Sequence, residues 1–193
     1  MKTSPLVRRL LLFLPLAAVP LAQAHPGHGP TSLSAGFFHP LTGWDHLLAM
    51  VAVGLWAAQL GGRARWTLPV TFVGAMALGA TAGIAGLVLP GVDQWILASV
   101  FALGLLIACA VQLPLTIGLA FVGLAGAVHG LAHGAEMPLN ANSVQFLAGM
   151  ITATALLHAA GVLAGGMAKE RAPICMRLAG AGILAGGLAL CLA

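Results

Sequence analysis

The stretch that decides the fold is HPLTGWDHLLAM, residues 39–50. It sets two histidines and an aspartate, His39, Asp45 and His46, at the head of an apolar segment typical of a membrane helix. Ionisable groups are costly inside a bilayer, so they are functional candidates there by default. Pro40 suits the first turn of a helix, and His39 and His46, seven residues apart, would share one face of it. We therefore expect the other polar groups of the membrane region to meet this stretch.

The composition places the rest of the chain in lipid as well. The 193 residues are 60% hydrophobic and only 6% charged, with a mean hydropathy of +1.03. A soluble domain carries roughly 25% charged residues, so this chain cannot cover a globular surface. The three cysteines, Cys109, Cys175 and Cys191, are far apart and form no CxxC pair. They support neither a disulfide framework nor a thiolate metal site.

The first 24 residues have the pattern of a secretory signal peptide. Lys2, Arg8 and Arg9 form a basic start, an apolar run follows, and Ala-Gln-Ala at 22–24 is a typical cleavage site. Removal of this segment would leave five Lys/Arg against four Asp/Glu, a formal charge of +1. The basic pI of about 9.6 is then partly a targeting signal, and it gives no support for binding to nucleic acid.

We predict that residues 25–36 form a periplasmic tail at the start of the mature chain. Its free amine, His25 and His28 could capture a metal ion loosely, and a flexible spacer is the alternative role. Pro26 has no amide hydrogen, which argues against a tight amino-terminal metal clip.

Six apolar segments follow within residues 37–193, and each is near the ~20 residues that span a bilayer. They cover 37–60, 66–89, 93–112, 114–135, 143–167 and 173–193. Glycine, proline and charged residues mark the breaks between them. We therefore predict an all-α fold, a polytopic membrane helix bundle of six transmembrane helices after a cleaved signal peptide.

The distribution of basic residues predicts the orientation of this bundle. With the mature N-terminus outside, the loops after the first, third and fifth helices face the cytoplasm. All basic residues of the mature chain fall on that side, namely Arg63, Arg65, Lys169, Arg171 and Arg177. This is the positive-inside pattern. It predicts a multi-pass protein of the bacterial cytoplasmic (inner) membrane with a periplasmic N-terminus.

A second group of ionisable residues ends the fourth apolar segment. His129, His133 and Glu136 are spaced so that they share one face of a helix. Because this segment ends outside and the first segment begins outside, both groups lie in the outer half of the membrane. That agreement in depth predicts one shared site. His158 in the fifth segment is a candidate for a deeper station, and Met50 is a weaker candidate.

The residue types indicate a divalent transition metal as the ion. Imidazole and carboxylate ligands suit Ni, Zn, Co, Cu(II) and Fe. Asp45 could reach the ion only if the helix is irregular, and otherwise it would orient the His46 ring. We interpret the protein as a permease, not an enzyme, with no permanently bound cofactor and the ion as its transported substrate. The chain has no GxxxxGK[ST] loop, so an ion gradient, the membrane potential or a partner must supply the energy.

Two other classes of protein remain open on the residues alone. An intramembrane zinc hydrolase is one, because His129-x3-His133 has zinc-ligand spacing; however, Gly130 stands where HExxH would have its glutamate. A haem- or quinone-binding membrane subunit is the other, with an axial pair such as His46 and His158. Asp45 beside His46 argues against that pair.

Two blocks of the sequence resemble the signatures of the HupE/UreJ family. The first is His39-x5-Asp45-His46, followed by LAM-x2-VG-x-WA at residues 48–57, and the second is HG-x-AHG-x-E at residues 129–136. The resemblance implies a cytoplasmic-membrane permease that supplies Ni²⁺, or Co²⁺, for hydrogenase or urease maturation. It marks as metal-handling residues His39, Asp45, His46, His133 and Glu136. The metal ion and the lipid bilayer are then the partners, and a metallochaperone or a homo-oligomer remains open.

Overall fold

The computed structural model describes residues 32–135, 137, 141–171 and 173–192. Within them it contains seven α-helices and no strand. The helices are α1 (Leu33–Thr42), α2 (Trp44–Leu60), α3 (Ala64–Ile84), α4 (Val92–Ala108), α5 (Leu115–Ala135), α6 (Ala141–Arg171) and α7 (Pro173–Leu192). The predicted signal peptide, the predicted capture residues His25 and His28, and Glu136 lie outside the described residues.

The helices have the length and composition of a polytopic membrane protein, as the sequence predicts. α3, α5, α6 and α7 are each long and apolar enough to cross a bilayer, and α1 and α2 qualify when taken together. α4 is a shorter apolar helix of 17 residues, roughly 25 Å long.

The first predicted span differs from expectation, because it is not one helix. α1 and α2 meet at Gly43 with a bend of 82° between them. The helix also starts earlier than predicted, at Leu33, where the Ser32 hydroxyl caps it by accepting a hydrogen bond from the Ala35 amide at 3.1 Å. The prediction that Pro40 lies in the first turn is therefore wrong. Pro40 lies buried in the last turn of α1.

α2 forms the centre of the bundle. It contacts α1, α3, α4, α6 and α7, and eleven of its 17 residues are buried. Its largest buried side chain, Trp56, is fully enclosed and packs edge-on against Phe121 of α5 at 6.0 Å between ring centroids. The helix that begins with Asp45 and His46 is therefore deeply buried in the bundle.

Glycines allow close contact between α3 and α5 and between α2 and α6, and these contacts show how the helices run. On α5, a side chain at Gly126, Gly130 or Gly134 would collide with the backbone of α3, at Phe72, Met76 and Ala80 in turn. The residue numbers of the two helices increase together along this contact, so α3 and α5 run parallel. Gly54 of α2 meets Gly161 of α6 in the same way, and Ala58 meets Gly165, so α2 and α6 are also parallel. Such close approach is typical of membrane helices.

Candidate metal site

The bend between α1 and α2 creates the first half of the site. The Gly43 amide donates to the His39 carbonyl at 3.1 Å, which closes α1, and the Leu47 amide donates to the Gly43 carbonyl at 2.9 Å, which opens α2. Gly43 has an extended backbone that any residue could adopt. Glycine is favoured for space instead, because an added Cβ would lie 3.1 Å from Asp45 Oδ1 and 3.2 Å from His46 Nδ1.

Asp45 holds the ring of His46 in one orientation. Its Oδ1 atom accepts two hydrogen bonds from His46, one from the ring Nδ1 at 2.7 Å and one from the backbone amide at 2.8 Å. A carboxylate can only accept, so the proton of the His46 ring lies on Nδ1 and the lone pair lies on Nε2. Asp45 also stands in the first turn of α2, where the helix dipole favours a negative charge. Its geometry is that of a group that orients a metal ligand.

His133 of α5 completes the cluster from the opposite side. Its Nε2 atom lies 2.6 Å from Nε2 of His46, and its ring centroid is 4.6 Å from that of His39. His39, His46 and His133 each offer a nitrogen within 4.8 Å of the others. His46 and His133 are buried and His39 is half-buried, so the cluster opens on the side of α1. Three imidazoles converging in this way fit a borderline transition-metal ion.

His129 lies one turn before His133 on the same face of α5. Its ring centroid is 5.4 Å from that of His46. The Nδ1 atom donates to the Ala125 carbonyl at 2.8 Å, and the fully buried Nε2 atom has no hydrogen-bond partner among the described residues. A buried lone pair without a partner is uncommon and calls for an explanation, such as a bound ion or water. Here it presents a further nitrogen next to the cluster.

His158 of α6 does not join the cluster. It is 1% exposed, and neither ring nitrogen has a hydrogen-bond partner in the described part of the chain. The Phe72 ring of α3 contacts both imidazoles, His129 at 5.4 Å and His158 at 5.1 Å between ring centroids. His158 therefore stands apart from the cluster, and an aromatic ring touches both it and His129.

The remaining candidates are less closely tied to the cluster. Met50 is buried in the hydrophobic core that surrounds α2. Glu136 directly follows the end of α5 but is not among the described residues. Sequence reasoning missed Phe72, since a phenylalanine in an apolar segment carries no distinguishing signal.

The contacts also bear on the two alternative classes. His133 contacts His39 and His46 and forms the described cluster with them, whereas His129 is not part of it. This grouping argues against a zinc site built on the His129–His133 pair alone. His46 is engaged by Asp45 and His133. This engagement argues against His46 as half of an axial haem pair with His158.

Together, the helices and the buried histidines define a polytopic helical membrane protein with a candidate transition-metal site. Comparison with known proteins identifies its family. The family described as HupE / UreJ protein matches residues 12–190, and the chain belongs to that family. It is also 44% identical over 147 residues to "Protein HupE" of Rhizobium leguminosarum bv. viciae. The matched region covers 76% of this chain and 77% of the relative. No solved structure matches the chain.

Membership in the family settles the class of the protein. The HupE/UreJ family is a transporter and accessory family, so the chain is not an enzyme. It has an accessory role of the metal-permease type. The resemblance of the two histidine-containing blocks to this family is thereby confirmed.

Proposed function

We propose that the protein is a permease that carries Ni²⁺ across the bacterial cytoplasmic membrane for hydrogenase or urease maturation, with Co²⁺ as the alternative cargo. The observation that carries the proposal is the convergence of His39, His46 and His133 in the interior of an apolar bundle. Ionisable side chains inside a membrane bundle are costly and mark substrate or ion pathways.

The donor set supports nickel or cobalt over harder or softer ions. Imidazole nitrogens favour late first-row metals, and the described residues place no thiolate in the cluster. The three cysteines are all exposed, away from the buried histidines. Neutral imidazoles bind an ion without neutralising it fully, which suits a transport site that must also release its cargo.

The order of the imidazoles supports a path inward from the outer side. In this proposal, His25, His28 and Glu136 capture the ion at the outer mouth, and His39 passes it to His46 and His133. His129 offers the next free nitrogen, and His158 receives the ion beyond Phe72. The ring of Phe72 must move for this last transfer, because it contacts both imidazoles.

The helix directions support six spans. α3 and α5 run parallel, so α4 between them must return the chain across the bilayer despite its shorter length. α2 and α6 are parallel as well. This requires an odd number of crossings between them, and α3, α4 and α5 provide three. We assign residues 1–24 to the signal peptide, residues 25–36 to the periplasmic side and residues 37–193 to the transmembrane domain in the inner membrane. The last four residues of the second range, 33–36, already belong to α1 and pack on α6.

Uptake of radiolabelled Ni²⁺ into cells that express the full chain tests the proposal. We expect uptake by the wild type, competition by Co²⁺, and loss of uptake in His46→Ala with normal amounts of protein in the membrane. Ser99→Ala is the matched control, because Ser99 is a buried polar residue of α4 whose hydroxyl donates to the Ile96 carbonyl of its own helix. Absence of uptake by well-expressed wild type, or full uptake by His46→Ala, would refute the proposal.

A further inference from the structure

A groove of about 410 Å³ opens on the side of the bundle, between α3 and α6. Arg65 and Trp66 lie at one end of its α3 wall and Gly74 at the other, and Ala155 to Val162 of α6 form the opposite wall. Apart from Arg65 and His158, the lining side chains are apolar or aromatic. The groove lies away from the cluster of His39, His46 and His133.

The dimensions of the groove match one leaflet of a bilayer. From Arg65 to Gly74 the α3 wall rises nine residues, or ~14 Å at 1.5 Å per residue. The hydrocarbon core of a membrane is ~30 Å thick, so half of it is ~15 Å. An apolar channel of this length beside a membrane helix has the size to hold one acyl chain of one leaflet.

The charged end of the groove lies at the level of the membrane interface. Arg65 and Trp66 are both exposed in the first turn of α3, and Trp66 exposes 70% of its surface. Tryptophan is enriched at the boundary between headgroups and acyl chains. Arginine there offers a fixed positive charge and several donors, which fit a phosphate group. A cation at the mouth of an apolar groove between helices is the pattern expected for an anionic lipid headgroup.

We propose that this groove is a binding site for an anionic phospholipid. The phosphate binds Arg65, the glycerol region lies against Trp66, and one acyl chain fills the space between α3 and α6 as far as Gly74. The chain then covers the side of α6 that carries His158, which lines the groove but is only 1% exposed. A seated acyl chain keeps water away from this deep imidazole from the lipid side.

Quenching of tryptophan fluorescence by chain-brominated lipids tests the site. The purified full chain is reconstituted in phosphatidylcholine vesicles that contain rising fractions of brominated phosphatidylglycerol or of brominated phosphatidylcholine. Subtraction of the Trp66→Phe signal isolates Trp66 from the other three tryptophans. We expect Trp66 to reach half-quenching at an about fivefold lower fraction of the anionic lipid, since one interfacial Arg contributes about that factor.

Two variants separate the headgroup from the groove. Arg65→Gln should remove the difference between the two lipids, and Arg177→Gln, which changes an exposed cation on α7 outside the groove, should leave it intact. Gly74→Leu should weaken the quenching of Trp66 by both lipids, because Gly74 lines the groove and its added Cβ meets no other described helix within 4 Å, so the larger side chain can occupy the groove. Trp95, exposed on α4, provides the internal reference and should show no headgroup preference.

The proposal fails if wild-type Trp66 responds equally to both brominated lipids. It fails also if the preference persists in Arg65→Gln or if Trp95 shares it, because the attraction would then belong to the whole surface. Arg65→Gln and Gly74→Leu alter exposed positions, so the amount of folded protein should equal that of the wild type by gel filtration. An Arg65→Lys variant should retain the preference, since it keeps the charge.

Discussion

The Nε2 atom of His46 on α2 lies 2.6 Å from the Nε2 atom of His133 on α5, although 87 residues separate them in the chain. The Nδ1–H of His46 is already donated to Asp45, so the shared proton between the two rings belongs to His133. An ion that replaces this proton would be bound by both rings. The contact therefore joins the two histidine-containing blocks of the sequence in one site.

His46 and His133 should act as one unit in metal binding. We expect His46→Ala and His133→Ala each to cost more than the ~10–100-fold in affinity that loss of a supporting group costs. The double variant should lose little more than either single variant, because the remaining ring cannot hold the ion alone. Calorimetric titration of the purified protein with Ni²⁺ measures all three. Additive losses would show two independent sites.

Asp45 should matter through the orientation of His46. Asp45→Asn should lower the Ni²⁺ affinity by about 10–100-fold, because the amide can donate a hydrogen bond to Nδ1 and move the ring proton to Nε2. Asp93→Asn is the control, since Asp93 is an acidic residue in the first turn of α4, away from the cluster. The same titration applies to both variants. Unchanged affinity in Asp45→Asn would remove Asp45 from the site.

Gly43 should tolerate even a methyl group poorly. In Gly43→Ala the new Cβ would lie 3.1 Å from Asp45 Oδ1 and 3.2 Å from His46 Nδ1, so the pair must shift to make room. We expect weaker Ni²⁺ binding with little change in thermal stability. Gly182→Ala provides the comparison, because no atom lies within 4 Å of its added Cβ. Equal affinity in the two variants would show that the Asp45–His46 pair needs no such space.

Loss of His158 should impair uptake of Ni²⁺ without changing its equilibrium binding. His158→Leu is expected to leave Ni²⁺ binding almost unchanged, because His158 is not part of the cluster of His39, His46 and His133. Uptake into cells should fall well below that of the wild type. Thr154→Val, a buried change one turn earlier on α6, should reduce uptake much less. If His158→Leu transports at the wild-type rate, His158 is a structural residue and the path ends elsewhere.

Gly130 should be required for the contact between α3 and α5. In Gly130→Val the side chain would collide with the backbone at Met76, at a cost of about 1–3 kcal/mol for overpacking. Both the thermal midpoint in detergent and the Ni²⁺ affinity should fall, because the forced separation also displaces His129 and His133. Gly166→Val, at a position with no atom within 4 Å of the added Cβ, should change neither. A stable Gly130→Val protein would contradict the assigned packing.

Much of the candidate site was predictable because its members lie close together in sequence. The spacing of His129 and His133 alone places them on one face of a helix, and the positions of Asp45 and His46 mark the start of a span. The direct contact between His46 and His133 was only a prediction from their common depth. Whether two residues at equal depth face each other depends on the rotation of their helices, which no local pattern encodes.

The sequence by itself determined that the chain is an all-helical membrane protein of the HupE/UreJ family. Low charge and long apolar runs admit no other solvent than lipid, and the family signatures are contiguous blocks of residues. Only the tertiary structure decided the 82° bend at Gly43, the contact of Phe72 with both His129 and His158, and the groove beside Arg65. These features arise where distant helices meet, and the contacts of small residues such as Gly54 and Gly130 set how closely and at what rotation they do so.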